Sequence, residues 1–113
     1  MINEKLIYHF ANVIGYLKIA INLESLKVIR TKYEMVLDEL LKWTKYYYEN
    51  KNLDIVTHDN SLKIHDILED VKNNIVFRSD IGIESELTDN ILINYEVIVK
   101  TINEERNSGD VKR

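Results

Sequence analysis

The residues best suited to chemistry are histidines and acids in the second half of the chain. His65 and Glu69 are four residues apart, as are Asp66 and Asp70, so on a helix each pair lies on one face. Imidazole and carboxylate groups can together bind a divalent metal ion. However, no histidine follows a glutamate by three residues, and His-Glu-x-x-His is absent. We therefore predict that His65 is a surface or boundary residue and that the protein has neither metal nor cofactor.

The sequence also lacks the common catalytic patterns. The Arg–His spacing of small helical ribonucleases does not occur after Arg30 or Arg78. There is no cysteine, which excludes thiol catalysis, disulfides and thiolate zinc sites, and three glycines are too few for a phosphate-binding loop. Gly-x-Ser-x-Gly is absent as well. We predict that the protein is not an enzyme.

The elements that position these residues are helices. The chain has no proline, and its longest periodic stretch, 23–50, has apolar residues at alternating steps of three and four. These are Leu26, Ile29, Tyr33, Val36, Leu40, Trp43 and Tyr47. The spacing predicts a long helix capped by Asn22, and a second stripe widens its buried face. This second stripe consists of Leu37, Leu41 and Tyr48.

Three further helices follow from the same periodicity. The first is capped by Asn3, the third starts at Asp59, Asn60 or Ser61 and ends near Phe77, and the fourth runs from Ser85 or Thr88 to about Asn107. Ile81 and Ile83 are expected to anchor the linker at 78–85. The sequence therefore predicts an all-α antiparallel four-helix bundle in residues 1–107, followed by a frayed tail at 108–113. The alternative is a dimer built from two such chains.

The charges divide unevenly along the chain. Residues 1–52 have 8 Lys and Arg against 6 Asp and Glu, whereas residues 53–113 have 7 against 13. The acids are either a solvated face or a surface for a basic partner. The scattered basic residues and the isoelectric point near 5.4 disfavour nucleic-acid binding.

Three consecutive tyrosines, 46–48, cannot all face one core, because three helical residues span about 200°. Tyr47 continues the Trp43 seam, so Tyr46 is expected to face solvent, where a tyrosine can anchor a protein interface. We expect Tyr46 to lie near Lys63 and Asp66. The residues that we predict to bind a partner are Tyr46, Asp66, Glu69, Asp70, Asp80, Glu84, Glu86 and Asp89.

These observations favour a small helical protein, monomer or homodimer, that acts by binding another protein. By analogy of size, class and charge it suits an immunity protein, a toxin-neutralising partner or a phage-encoded defence inhibitor. The alternative is a small helix-turn-helix-like DNA-binding regulator formed by the third and fourth helices. The start of the chain has no signal-peptide pattern, and no run approaches the ~18 apolar residues of a membrane span. We therefore expect a cytoplasmic protein without a membrane segment.

Overall fold

A computed structural model describes residues 3–50, 52–76 and 82–111 and confirms the predicted fold class. It contains four helices: α1 Glu4–Leu23, α2 Lys27–Asn50, α3 His58–Val76 and α4 Gly82–Val111. Among the described residues, each helix packs against the next in the order α1, α2, α3, α4, and α4 packs against α1. The helices therefore form a four-helix bundle in which α1 and α3 are diagonally opposed.

The predicted seam of α2 forms much of the core. Six of its seven residues are buried, and the exception is Leu26, which lies before the helix and is 48% exposed. The second stripe is narrower than predicted, because Leu37 is half-buried whereas Leu41 and Tyr48 are exposed. Leu41 and Tyr48 lie about 100–120° from the centre of the buried stripe, beyond the reach of the helices that cover α2.

Helix α1 starts as predicted. The Asn3 side chain accepts a hydrogen bond from the Leu6 backbone N–H at 3.1 Å, and Glu4 occupies the first turn. The helix turns a stripe of apolar residues into the core. These residues are Leu6, Phe10, Val13, Leu17 and Ala20.

By length and composition, α1 is also apolar enough to cross a membrane, contrary to the expectation from the sequence. The reason is that isolated polar residues interrupt every long apolar run, whereas the average over the helix stays apolar. The core helix of a soluble protein and a signal sequence meet the same criterion. Only 28% of the apolar window is buried within the chain, so much of α1 faces outward.

The connection between α1 and α2 differs from the prediction. Asn22 does not cap α2, because α1 continues to Leu23. Glu24 is buried instead, and its carboxylate Oε1 accepts a hydrogen bond from the Leu26 backbone N–H at 2.9 Å. The Glu24 backbone N–H donates to the Ala20 carbonyl. One glutamate thus ends α1 and satisfies a backbone donor at the start of α2.

Helix α3 starts earlier than predicted. It begins at His58, because the Thr57 hydroxyl caps it by accepting a hydrogen bond from the Asn60 backbone N–H at 3.1 Å. The prediction of Asp59, Asn60 or Ser61 as cap is therefore wrong by a few residues. Phe77, where α3 was expected to end, lies outside the described residues.

Helix α4 begins earlier and ends later than predicted, since it was expected to run from Ser85 or Thr88 to about Asn107. It begins at Gly82, which places Ile83 in its first turn, where the side chain is 68% exposed rather than an anchor. Ile81 lies outside the described residues. The helix continues past the predicted end at Asn107 and ends at Val111.

Buried tyrosine hydroxyls fix how the helices are aligned along the bundle axis. The Tyr33 hydroxyl of α2 lies 2.6 Å from the Thr88 hydroxyl of α4. The Tyr95 hydroxyl donates to the Ser61 carbonyl of α3 at 2.6 Å, and the Tyr47 hydroxyl accepts from the Asn3 backbone N–H at 2.8 Å. A buried hydroxyl without a partner is unfavourable, so a sliding of one helix against another is opposed by all three contacts.

Leu40 and Lys42 provide a matched test of the core. Leu40 is fully buried in α2, and we expect Leu40→Ala to lower the free energy of unfolding by ~2–5 kcal/mol because it leaves a cavity. Lys42 has a mostly exposed side chain, so Lys42→Ala should change the free energy of unfolding by less than ~0.5 kcal/mol. Denaturant melts of both variants measure the difference, and equal effects would show that the α2 register is wrong.

The buried Tyr95 hydroxyl should make the stability of the fold depend on pH in the alkaline range. Burial raises the pKa of the Tyr95 hydroxyl above its ordinary value, and the Glu39 carboxylate adds to the shift. The unfolded chain ionises this group near pH ~10, so its stabilising contribution is complete below that pH and is lost as the pH rises further. We expect Tyr95→Phe to be less stable at neutral pH but to lose less stability above pH ~10. The exposed-site variant Tyr48→Phe should keep the wild-type pH profile in the same melts.

Candidate functional site

A groove of about 470 Å³ lies between α2 and α3 on the surface of the bundle. We call it the α2–α3 groove. It is lined by Lys32, Asp59, Leu62, Lys63, Asp66, Ile67 and Asp70. A smaller depression of about 110 Å³ extends it along α2 and shares Lys63 and Ile67 with it. The extension is also lined by Met35, Glu39, Asn60 and Ile64.

The α2–α3 groove combines exposed apolar side chains with carboxylates. Leu62 and Met35 are each 47% exposed. Asp70 forms an ion pair with Lys32 across the groove and accepts a hydrogen bond from the Asn74 side chain. Within the described part of the chain, neither Asp59 nor Asp66 has an ion-pair partner. These two carboxylates are therefore available to a basic ligand.

A second groove, of about 520 Å³, lies between α3 and α4. Leu62 lines it too and therefore forms a ridge between the two grooves. On this side His65 Nε2 lies 3.6 Å from Glu69 Oε1 and 3.9 Å from Glu96 Oε1. Lys72 of α3 pairs with Asp89 of α4 at 3.2 Å.

The acidic run predicted as one surface is thus divided between different faces. Asp66 and Asp70 line the α2–α3 groove, whereas the Glu69 carboxylate lies beside His65 and Asp89 of α4 pairs with Lys72. Glu84 is half-buried and Glu86 is exposed in the first turns of α4. Asp80 lies outside the described residues. Of the predicted acids that the structure describes, only Asp66 and Asp70 therefore share a groove.

The expected position of Tyr46 is not confirmed. Its side chain is half-buried, and Tyr48 is the exposed tyrosine at this end of α2, at 47%. Lys63 and Asp66 lie across from the 32–39 segment of α2 instead. Tyr46 is two helical turns beyond that segment and does not line the groove.

The sequence reasoning did not identify the apolar part of this site. The helical spacing of apolar residues in α3 permits either Leu62 or Ile64 in its buried seam, and the structure buries Ile64. The available signal was local: Leu62 has Asp59 three residues before it and Asp66 four residues after it, so an apolar side chain stands between two acids on one helical face.

The arrangement of α3 and α4 bears on the DNA-binding alternative. Contacts between Lys72 and Asp89 and between Ser61 and Tyr95 show that the two helices run antiparallel beside each other. A helix-turn-helix motif has its two helices crossing at about 90–120°. The geometry of α3 and α4 therefore differs from that motif.

The described residues contain no group of three or more acidic or histidine side chains arranged to hold a metal ion. His65 is the nearest approach, between Glu69 and Glu96. His9 is held elsewhere, with its Nδ1 atom 2.7 Å from Asn94 Oδ1 on α4.

We expect divalent ions to leave the melting temperature unchanged, because the described residues present only one histidine between two carboxylates. Thermal melts with added zinc, manganese or chelator measure this. A rise of several degrees with zinc that disappears in His65→Ala would instead establish a metal site, since a ligand that binds only the folded chain stabilises it.

The chain matches no protein-family model, no curated protein and no solved structure. A functional proposal for it rests on the geometry described above.

Proposed function

We propose that this protein acts without catalysis by binding another protein, and that the partner occupies the α2–α3 groove. The observation that carries the proposal is Leu62, which is 47% exposed on a ridge beside two carboxylates that lack ion-pair partners among the described residues. Exposed apolar residues surrounded by charged ones are typical of protein interaction surfaces.

The chemistry of the groove indicates what the partner presents. Leu62 and Met35 favour an apolar side chain, and Asp59 and Asp66 favour Lys or Arg beside it. An amphipathic helix or extended segment with a basic rim has both features. In such an interface the apolar contact sets the lifetime of the complex, and the charges mainly set the association rate and the choice of partner.

The resulting protein would be a stoichiometric binder. A toxin-neutralising, immunity or defence-inhibitor role is the form of this function that suits a small acidic bundle, because such proteins act by covering a surface of their partner.

The test begins with capture of the partner in cells of the native host. A photo-crosslinking amino acid at Leu62 should label one protein in the α2–α3 groove, whereas the same group at Asp38, an exposed position on the outer face of α2, should not. We then expect Leu62→Ala to raise the dissociation rate of the purified complex by about tenfold or more. Asp66→Lys should slow association and flatten its salt dependence.

Asp38→Lys is the matched control for the charge reversal, because it makes the same change on an exposed carboxylate away from the groove. It should leave binding kinetics near those of the wild type, and circular dichroism should show all variants folded. Equal effects of Asp66→Lys and Asp38→Lys would contradict the placement of the interface. A salt-sensitive shift of duplex DNA by the purified chain would favour the DNA-binding alternative.

A further inference from the structure

The outer face of α1 has an unusual composition for a surface helix. It lies opposite the buried stripe and presents Glu4, Tyr8, Ala11, Gly15, Lys18, Ile19 and Asn22. Tyr8 is 63% and Ile19 49% exposed. A Cβ atom added at Gly15 would meet nothing within 4 Å. Two small residues therefore form a shallow centre, with a large apolar residue on either side.

Among the residues that the structure describes, no other segment covers this face. Helix α1 packs against α2 and α4, and its outward side should be polar if it met only water. Helix α1 is instead apolar enough in composition to cross a membrane. Only 28% of its most apolar 18-residue stretch is buried against the rest of the chain. The exposed apolar surface extends toward the end of the bundle, where Leu23 and Leu26 are each 48% exposed. Several exposed apolar side chains on one part of the surface mark a contact surface.

The order of residues along this face is self-complementary. It runs from large to small to small to large, Tyr8, Ala11, Gly15, Ile19, and is nearly symmetric about position 13. If a second α1 lies antiparallel across it, Ala11 meets Gly15 of the second copy and Tyr8 meets Ile19 and Lys18 of the second copy. A two-fold interface requires such a surface, because the same patch must fit itself.

The charges on the face favour the same arrangement. Glu4 is at one end and Lys18 at the other. In an antiparallel pair, Glu4 of each copy lies within about one helical turn of Lys18 of the second copy. A parallel pair would place Glu4 against Glu4 and Lys18 against Lys18, which is unfavourable.

We propose that the outer face of α1 binds a second copy of this chain, forming an antiparallel α1–α1 dimer whose two-fold axis crosses the outer face at the level of position 13. The small side chains at Ala11 and Gly15 let the two backbones approach closely. The proposal does not depend on the proposed function, because α1 and α3 are diagonally opposed in the bundle. The α2–α3 groove of each copy stays accessible in the dimer.

A lipid surface fits this face less well. Helices that lie on membranes have a polar side rich in Lys and Arg and insert large apolar side chains. The outer face of α1 has one lysine balanced by one glutamate, and its centre is formed by Ala11 and Gly15, which have little to insert.

Sedimentation of the full chain over a concentration series tests the dimer. A single helix pair is at the small end of specific interfaces, so we expect a dissociation constant on the order of 10–100 µM. Gly15→Lys should weaken dimerisation at least about tenfold, because it places two like charges near the two-fold axis. It should not impair the fold, since the site is open and lysine favours a helix more than glycine does. Asn73→Lys, at an exposed site on α3, is the control and should dimerise like the wild type.

The charges test the orientation. Glu4→Lys and Lys18→Glu should each weaken the dimer, because each creates two repulsive pairs, and the double variant should restore it. A double variant that dimerises no better than the single variants would overturn the antiparallel arrangement. A chain that remains monomeric up to ~1 mM, or a dimer that is insensitive to Gly15→Lys, would overturn the proposal. So would binding to anionic vesicles by Tyr8 and Ile19 without self-association.

Discussion

The bundle depends on the need to satisfy polar groups that its aromatic residues carry into the core. Tyr33, Tyr95 and Trp43 are almost fully buried, and each has a polar atom that is unfavourable without a partner. Tyr33 reaches Thr88, Tyr95 reaches the Ser61 carbonyl, and the Trp43 indole N–H donates to Glu39 at 3.0 Å. Apolar packing alone would tolerate a sliding of the helices. The Trp43 contact lies within α2, whereas the Tyr33 and Tyr95 contacts join different helices and oppose such sliding.

That alignment determines what the surface of the bundle presents. With Tyr95 tied to Ser61, α4 covers one side of α3, and Lys72 and His65 meet the α4 acids there. The other side of α3 faces α2, where Lys32 reaches Asp70. Leu62 lies on the ridge between these sides and stays exposed. The acids of α3 therefore divide into those already paired with a neighbouring helix and those that remain available in the α2–α3 groove.

In the described part of the chain, the α2–α3 groove and the outer face of α1 are not covered by another helix, and they differ in chemistry. The α2–α3 groove combines Leu62 with carboxylates, which would favour a basic ligand. The outer face of α1 is nearly neutral, with small residues at its centre, and is complementary to itself. The α2–α3 groove and the outer face of α1 are on opposite sides of the bundle. A dimer through α1 would therefore present two copies of the α2–α3 groove outward and could bind a multivalent partner with increased avidity.

The sequence by itself determined the helices and most of the core, because burial acts on each side chain separately and leaves a periodic record. Ile29, Tyr33 and Leu40 were identified from spacing alone and are buried. Helix ends were less well determined, since Thr57 and Glu24 compete with other capping residues nearby. Only the tertiary structure decided which surface residues act together. Asp66 lines the α2–α3 groove, whereas Glu69, three residues further on, lies beside His65 of its own helix. Lys32 and Asp70, which form an ion pair, are separated by 38 residues. Periodicity states which face of a helix is buried, but the identity of the neighbour on each side depends on how the whole bundle is aligned.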